Sequence, residues 1–296
     1  MKVGVRSPDS KIPNLAMMKL AAWHRARGDE VFVNFPLMDN MVDKLYVSYV
    51  FTRSIKDHPP NAEVGGTGSG DLKKTLPDAI EHTTPAYDLF GCDYAIGFTS
   101  RGCPNKCKFC FVPEKEGGIR AHAEPDEFVL PEQGRVMFLD NNILAAPNCD
   151  DVLEWCAASR KQIDFNQGLD ARRIDAAVAR QLKKIRWWGQ IHLACDSAAA
   201  KRPLATAVQH MRAAGIGPSR IMVLALIGES GVLSDKDRER VAWLMSIGVD
   251  PFAMPFMPPT ADMSWQAPPP VRHFARWCNR VEIRKSCSFD EYMVGK

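Results

Sequence analysis

Three cysteines, Cys103, Cys107 and Cys110, stand in the run Gly97-Phe-Thr-Ser-Arg-Gly-Cys-Pro-Asn-Lys-Cys-Lys-Phe-Cys-Phe111. The spacing C-x₃-C-x₂-C puts three thiolates on one short loop, enough to ligate three irons of a cubane cluster. A [4Fe–4S] cluster ordinarily takes four protein thiolates, so a set of three leaves one iron open to a small molecule. The competing reading is a structural zinc site. Zinc asks for a fourth Cys or His at finger-like spacing, and the nearest, His122, lies twelve residues beyond Cys110 without a paired ligand. Pro104 stiffens the loop. Lys106 and Lys108 either set positive charge beside an anionic cluster or are simply solvated.

Such a loop needs a strand to launch it. Tyr94–Phe98 reads as that strand, and from there strand-like and helix-like stretches alternate, the pattern of a parallel sheet with crossover helices. The expected strands are 94–99, 135–139, 163–167, 190–195, 221–227 and 251–256. The expected helices are Asp150–Lys161, Ile174–Ile185, Lys201–Ala214 and Asp235–Ile247. Residues 251–270, rich in Pro and Met, predict an extended crossing. Before Tyr94, Lys2–Val5, Val31–Val33 and Leu45–Phe51 read as strands. Asn14–Arg27 reads as a helix closed by Gly28. The run Ala62-Glu-Val-Gly-Gly-Thr-Gly-Ser-Gly70 lacks G-x-G-x-x-G spacing and reads as a tight turn at a strand end.

The string Ser100-Arg-Gly-Cys-Pro-Asn-Lys-Cys-Lys-Phe-Cys110, with Phe109 before the third cysteine, resembles the radical S-adenosylmethionine (SAM) superfamily. The resemblance is to the branch holding cobalamin-dependent enzymes and methylthiotransferases. It implies a partial (β/α)₆ TIM-like barrel behind a small flavodoxin-like α/β unit. It implies a [4Fe–4S] cluster on Cys103, Cys107 and Cys110, SAM on the open iron, and reductive cleavage of SAM to a 5′-deoxyadenosyl radical that abstracts hydrogen from a substrate. The electron donor would be of the flavodoxin or ferredoxin type. Residues 1–92 resemble a truncated cobalamin-binding domain, but the D-x-H-x-x-G signature is absent, so cobalamin is not expected. The corresponding boundaries are 1–92 for the α/β unit, 93–262 for the core and 263–296 for a C-terminal extension.

Barrel enzymes hold their chemistry at the carboxyl ends of strands, and polar residues stand there. Asp140, Asn141 and Asn142 match the position that holds the SAM amino group, or form an Asx turn. Arg172 suits a carboxylate, unless Asp170 caps the next helix while the arginine is solvated. Asp196 with Ser197 suits the ribose hydroxyls, or an N-cap. Gly228 permits close approach of adenine, or is a turn glycine. Phe109 completes the expected cofactor contacts.

Net charge of +3 and 25% charged residues are too mild to imply nucleic acid by themselves. Arg272, Arg276, Arg280 and Arg284 recur every four residues in a helix-like run from Val271 to Lys285, which would align them on one face. Phe274, Trp277 and Val281 would face the other way. That stripe suits a phosphate-bearing partner such as tRNA or DNA, or is a solvated face. Nine cysteines without an apolar leader fit reduced cytosolic thiols, no run is long enough to span a bilayer, and a cytoplasmic location is expected. The remaining six cysteines show no second cluster spacing. Two readings of other kinds stay open: an iron–sulfur sensor that binds nucleic acid, and a zinc-bearing interaction protein. Within enzymes, a methyl- or methylthiotransferase acting on nucleic acid also remains open.

Overall fold

The computed structural model describes residues 1–258, 261 and 264–294. The chain is α/β with parallel sheets, and its described residues divide into two compact units. One holds residues 1–141, 146–148, 261 and 264; the other holds 142–145, 149–258 and 265–294.

The first unit opens with four strands, β1 (Lys2–Arg6), β2 (Glu30–Val33), β3 (Lys44–Ser48) and β4 (Glu63–Gly65). They form an all-parallel sheet in the order β2-β1-β3-β4. Helix α1 (Leu15–Ala26) starts where the Asn14 side chain accepts the Met17 amide, and it buries Met17, Leu20 and Ala21 against Val3 and Val5. Ile80 of the short helix α2 (Asp78–Glu81) joins that core. The expected strand over 45–51 ends at Ser48, because the amides of Val50 and Phe51 turn to the Asp9 carboxylate. The glycine-rich run supplies a strand as well as a turn: β4 precedes a 3₁₀ turn over Thr67–Ser69.

Next come β5 (Ala95–Gly97), the antiparallel ribbon of β6 (Ser100–Arg101) and β7 (Arg120–Ala121), and β8 (Arg135–Phe138), which runs parallel to β5. A single-turn helix α3 (Val112–Lys115) lies inside the loop between β6 and β7. Gly97 is needed under the Phe128 ring, since a Cβ there would stand 2.5 Å from it.

The second unit alternates helix and strand. In chain order these are α4 (Cys149–Ala158), β9 (Gln162–Phe165), α5 (Ala176–Lys184), β10 (Arg186–Trp187), β11 (Ile191–Ala194), α6 (Lys201–Ala213), β12 (Ile221–Ile227), α7 (Asp235–Ser246) and β13 (Asp250–Pro255). Strand β9 pairs parallel with β10, and β11, β12 and β13 form a parallel sheet in that order. Burial along β12 alternates strictly: Ile221, Val223, Ala225 and Ile227 are fully buried, and Met222, Leu224 and Leu226 are half-buried. One face therefore lies under helices, with α7 packed on β12 and β13, and the other face is more open.

Helices α8 (Pro269–Asn279), α9 (Val281–Ser286) and α10 (Phe289–Val294) end the described chain. Here the expected single helix over 271–285, with four aligned arginines, is corrected. Arg280 is extended (φ −106°, ψ 99°) and separates α8 from α9. The Asn279 side chain bonds both backbone groups of Ala253, and Arg284 is drawn inward to Asp250 and the Pro251 carbonyl. Arg272 and Arg276 alone share an exposed helical face, while Phe274 and Trp277 are buried as expected. The crossing expected over 251–270, and the domain boundary at 262/263, include residues 259, 260, 262 and 263, which lie outside the described residues. No helix among the described residues is long and apolar enough to cross a membrane.

The two-faced sheet of the second unit gives a direct test. Leu193→Ala, on the fully buried face of β11, is expected to cost about 2–5 kcal/mol in urea unfolding, and Leu224→Ala, on the half-open face of β12, roughly half as much. Equal losses would contradict the assignment of faces.

Candidate functional site

The cysteine loop leaves the carboxyl end of β5 through Phe98 and Thr99 and is closed at its base by the β6–β7 ribbon, Ser100 opposite Ala121 and Arg101 opposite Arg120. Gly102 turns the chain at φ +85°. A Cβ at this position would lie 2.2 Å from the Gly118 carbonyl oxygen, so only glycine lets the two arms approach this closely. The Cys103 amide bonds the Gly117 carbonyl (3.3 Å), and the Cys110 amide closes a turn on the Cys107 carbonyl (3.1 Å). Cys107 is exposed and Cys103 and Cys110 are half-buried; Phe109 beside them is 39% exposed. The donor types suit an iron–sulfur cluster: three sulfurs on one loop. The structure does not draw them together, however. Among the described residues no three His, Cys, Asp or Glu side chains are placed to hold a metal ion.

The base of the loop rests on a buried carboxylate. Asp140, just beyond β8, is 3% exposed, and its Oδ1 accepts from the Thr99 amide (3.1 Å) and hydroxyl (2.8 Å) and from the Ser100 amide (2.5 Å) and hydroxyl (2.6 Å). Burial pushes this carboxyl above its ordinary range, while the Ser100 and Thr99 donors pull the other way. Asn141 Oδ1 accepts the Gly102 amide (3.1 Å), and Asn148 Nδ2 donates to the Thr99 carbonyl (3.0 Å). Asp140 and Asn141, two of the residues expected to contact SAM, thus hold the base of the cysteine loop.

Beside them Arg101 stacks on Phe98, its guanidinium carbon 3.6 Å from the ring centre, and donates to Glu81 at 2.5 Å. Glu81 also receives Lys19 Nζ (3.0 Å) and His122 Nε2 (3.1 Å). Burial alone would raise this carboxyl, but the His122 hydrogen bond and the charges of Arg101 and Lys19 hold it well below the usual carboxylate range. A single anion thus ties α1, α2 and both sides of the ribbon together. Nothing in the local sequence marks Glu81 out, because its three partners are distant in the chain.

The second unit places the other expected residues. Asn142 is buried and donates to Asp170 Oδ2 (3.1 Å). Asp170 caps a 3₁₀ turn over Ala171–Arg173 and takes the Arg172 guanidinium in a bidentate pair (2.7 and 2.9 Å), and the Arg172 side chain remains 55% exposed. Asp196 Oδ1 accepts the Leu226 amide (3.0 Å), and burial raises this carboxyl against that amide and the charge of Arg240. Ser197 is exposed and caps no helix with its side chain. The Gly228 amide bonds Asp237 Oδ2 (3.2 Å), and a Cβ on Gly228 would stand 2.9 Å from Val271, so helix packing explains this glycine. Asp237 pairs with Arg240 at 2.7 Å, and Arg240 also donates to the Leu226 carbonyl. Burial pushes the Cys195 thiol up to about 11, which makes it a poor nucleophile.

One pair was not anticipated. Asp164 of β9 and His192 of β11 face each other at 3.6 Å. The register sets His192 beside Met222 on the half-buried side of β11 and β12, while Asp164 is buried on β9. Burial raises the Asp164 carboxyl, with His192 opposing. The visible signal was a polar residue flanked by apolar ones in each of two strands, Gln162-Ile-Asp-Phe165 and Ile191-His-Leu-Ala194. In comparisons with known proteins, no family model matches the chain and no curated protein matches its sequence.

The Glu81 knot carries a pH dependence. Its folded pKa lies below the unfolded value near 4.5, so its stabilisation is complete above that value and is lost as pH falls towards the folded one. Glu81→Gln is expected to cost about 1–3 kcal/mol at neutral pH, and the gap from wild type should narrow on acidification below about pH 4.5. Denaturant unfolding across that window checks it; a gap independent of pH would contradict the assignment.

Proposed function

We propose that this chain is a radical SAM enzyme, with the three thiols of one partly exposed loop, Cys103, Cys107 and Cys110, as the observation that carries the reading. These residues would hold three irons of a [4Fe–4S] cluster and leave the fourth to SAM. The chemistry supplied there is reductive cleavage of SAM to methionine and a 5′-deoxyadenosyl radical that removes a hydrogen atom from a substrate. The finer architecture belongs to the same proposal: a partial (β/α)₆ barrel behind a small flavodoxin-like unit, with a one-electron carrier of the flavodoxin or ferredoxin type as partner.

The chain's own residues have separable tasks in this reading. Asp140, Asn141 and Gly102 fix the departure of the loop, so the thiols start from a rigid base. Phe109, half-exposed beside Cys110, offers an apolar wall. In the second unit, Arg172 keeps an exposed guanidinium suited to the SAM carboxylate, since its planar fork can exchange Asp170 for another carboxylate. Asp196 spends Oδ1 on Leu226, and Oδ2 is the atom suited to a ribose hydroxyl. Asp164 and His192, 3.6 Å apart, are a pair of a kind that could move a proton.

Anaerobic reconstitution with iron and sulfide, followed by SAM and a strong reductant, is expected to release 5′-deoxyadenosine from wild type and none from Cys107→Ala. A reconstituted cluster that releases no nucleoside would overturn the enzyme reading. Arg172→Ala is expected to raise the SAM concentration needed about tenfold or more, while leaving the visible spectrum of the cluster unchanged.

A further inference from the structure

The sheet β2-β1-β3-β4 has a second feature unconnected with the cysteines. The chain leaves β1 for β2 on one side and then crosses to β3 on the other, so β1 and β3 flank the point where the strand order reverses. In open parallel sheets, ligands bind outside the carboxyl ends of the strands at that place. A cleft of about 640 Å³ lies there, formed by the segments that follow β1 and β3, within the range of small-ligand sites.

Its lining is built rather than incidental. Asp9 accepts the amides of Val50 (3.0 Å) and Phe51 (2.9 Å) and the Ser54 hydroxyl (2.5 Å), fixing the segment after β3 from one side. Gly66 and Gly68 support it from the other. A Cβ on either would stand 2.3 Å from the Tyr49 carbonyl oxygen or 2.4 Å from that of Phe51, which accounts for the glycine-rich run. Held this way, the Phe51 ring is 42% exposed, with the Arg53 guanidinium carbon 6.0 Å from its centre. Lys11 contributes a second cation. Among the described residues neither Lys11 nor Arg53 forms an ion pair, whereas the single carboxylate of the lining is engaged with backbone amides. An exposed ring with two cations outside any ion pair matches a planar base joined to a phosphate: the ring stacks, and the cations meet the anion.

We propose that the cleft at the carboxyl ends of β1 and β3 binds a nucleoside phosphate, free or as one unit of a single strand, with the base against Phe51 and the phosphate between Lys11 and Arg53. The site is independent of the radical SAM reading, because it uses no residue of the cysteine loop or of its supports. The full chain, without cluster reconstitution, is titrated with radiolabelled AMP and GMP in equilibrium dialysis and with a fluorescein-labelled oligouridylate in anisotropy. Lys11→Glu/Arg53→Glu and Phe51→Ala are each expected to weaken binding about tenfold or more, and Lys236→Glu, at an exposed site on α7, is expected to leave it unchanged. Unaltered unfolding midpoints verify that the variants fold; Lys11→Gln/Arg53→Gln replaces the double charge reversal if its midpoint falls. Mononucleotide binding as tight as that of the oligonucleotide identifies a free nucleotide as the ligand. Oligonucleotide binding about tenfold tighter, weakening as salt is raised, identifies a single strand. No binding of either probe, equal binding by the cleft variants, or an equal loss in Lys236→Glu overturns the proposal.

Discussion

A carboxylate taken out of water loses several kcal/mol of hydration, and Asp140 recovers part of it through Thr99 and Ser100. Hydrogen bonds to a charged group contribute about 1.5–3 kcal/mol each, so the two amides and two hydroxyls offset much of that loss, although burial still holds the carboxyl above its ordinary range. The consequence is geometric. All four donors belong to consecutive residues at the exit of β5, and the acceptor sits at the exit of the parallel strand β8. Satisfying the charge therefore fixes the direction in which the chain leaves the sheet. Asn141 then takes the next amide, Gly102 makes the turn that brings both arms together, and the cysteines follow. Removal of this one anion would leave two buried hydroxyls and two amides competing for no acceptor.

The second unit solves the same problem at the end of β12 with different parts. The amide and carbonyl of Leu226 and the amide of Gly228 lie where the sheet ladder ends, and Asp196, Arg240 and Asp237 take them in turn. Asp237 also closes the capping box of α7 with Ser234, so the helix start and the strand end are set by one side chain. Buried ion pairs add little net stability compared with apolar packing, but a broken one is costly. Their worth here lies in allowing only one arrangement of strand end, helix start and the glycine beneath Val271.

The strands and helices from β8 to β13 were legible because their signals are periodic and local: alternation along β12, a capping serine before α7, glycines after helices. What escaped was set by partners far along the chain. Arg280 sits in a pattern of good helix formers, but Asn279 is claimed by Ala253 and Arg284 by Asp250, and the helix breaks between them. The spacing of Cys103, Cys107 and Cys110 is itself local, since the three residues are nearly contiguous in the chain. The roles of Asp140 and Arg172 were not, because whether a polar residue at a strand end serves a ligand or its own backbone depends on which donors the fold delivers. Glu81 was invisible for the same reason, and although Asp164 and His192 stand out as polar residues in their strands, their pairing was not legible, because they meet only after folding.

The cysteine loop joins a fixed base to an open tip. The carboxylates of Asp140 and Glu81, the glycine turn and the ribbon immobilise the base, and the segment carrying Cys107 and Phe109 is left exposed. Lys106 and Lys108 are exposed as well, so solvent screens their charges. Because the base is already ordered, only the tip has conformational entropy left to lose on holding a ligand, and a loop loose throughout would lose more.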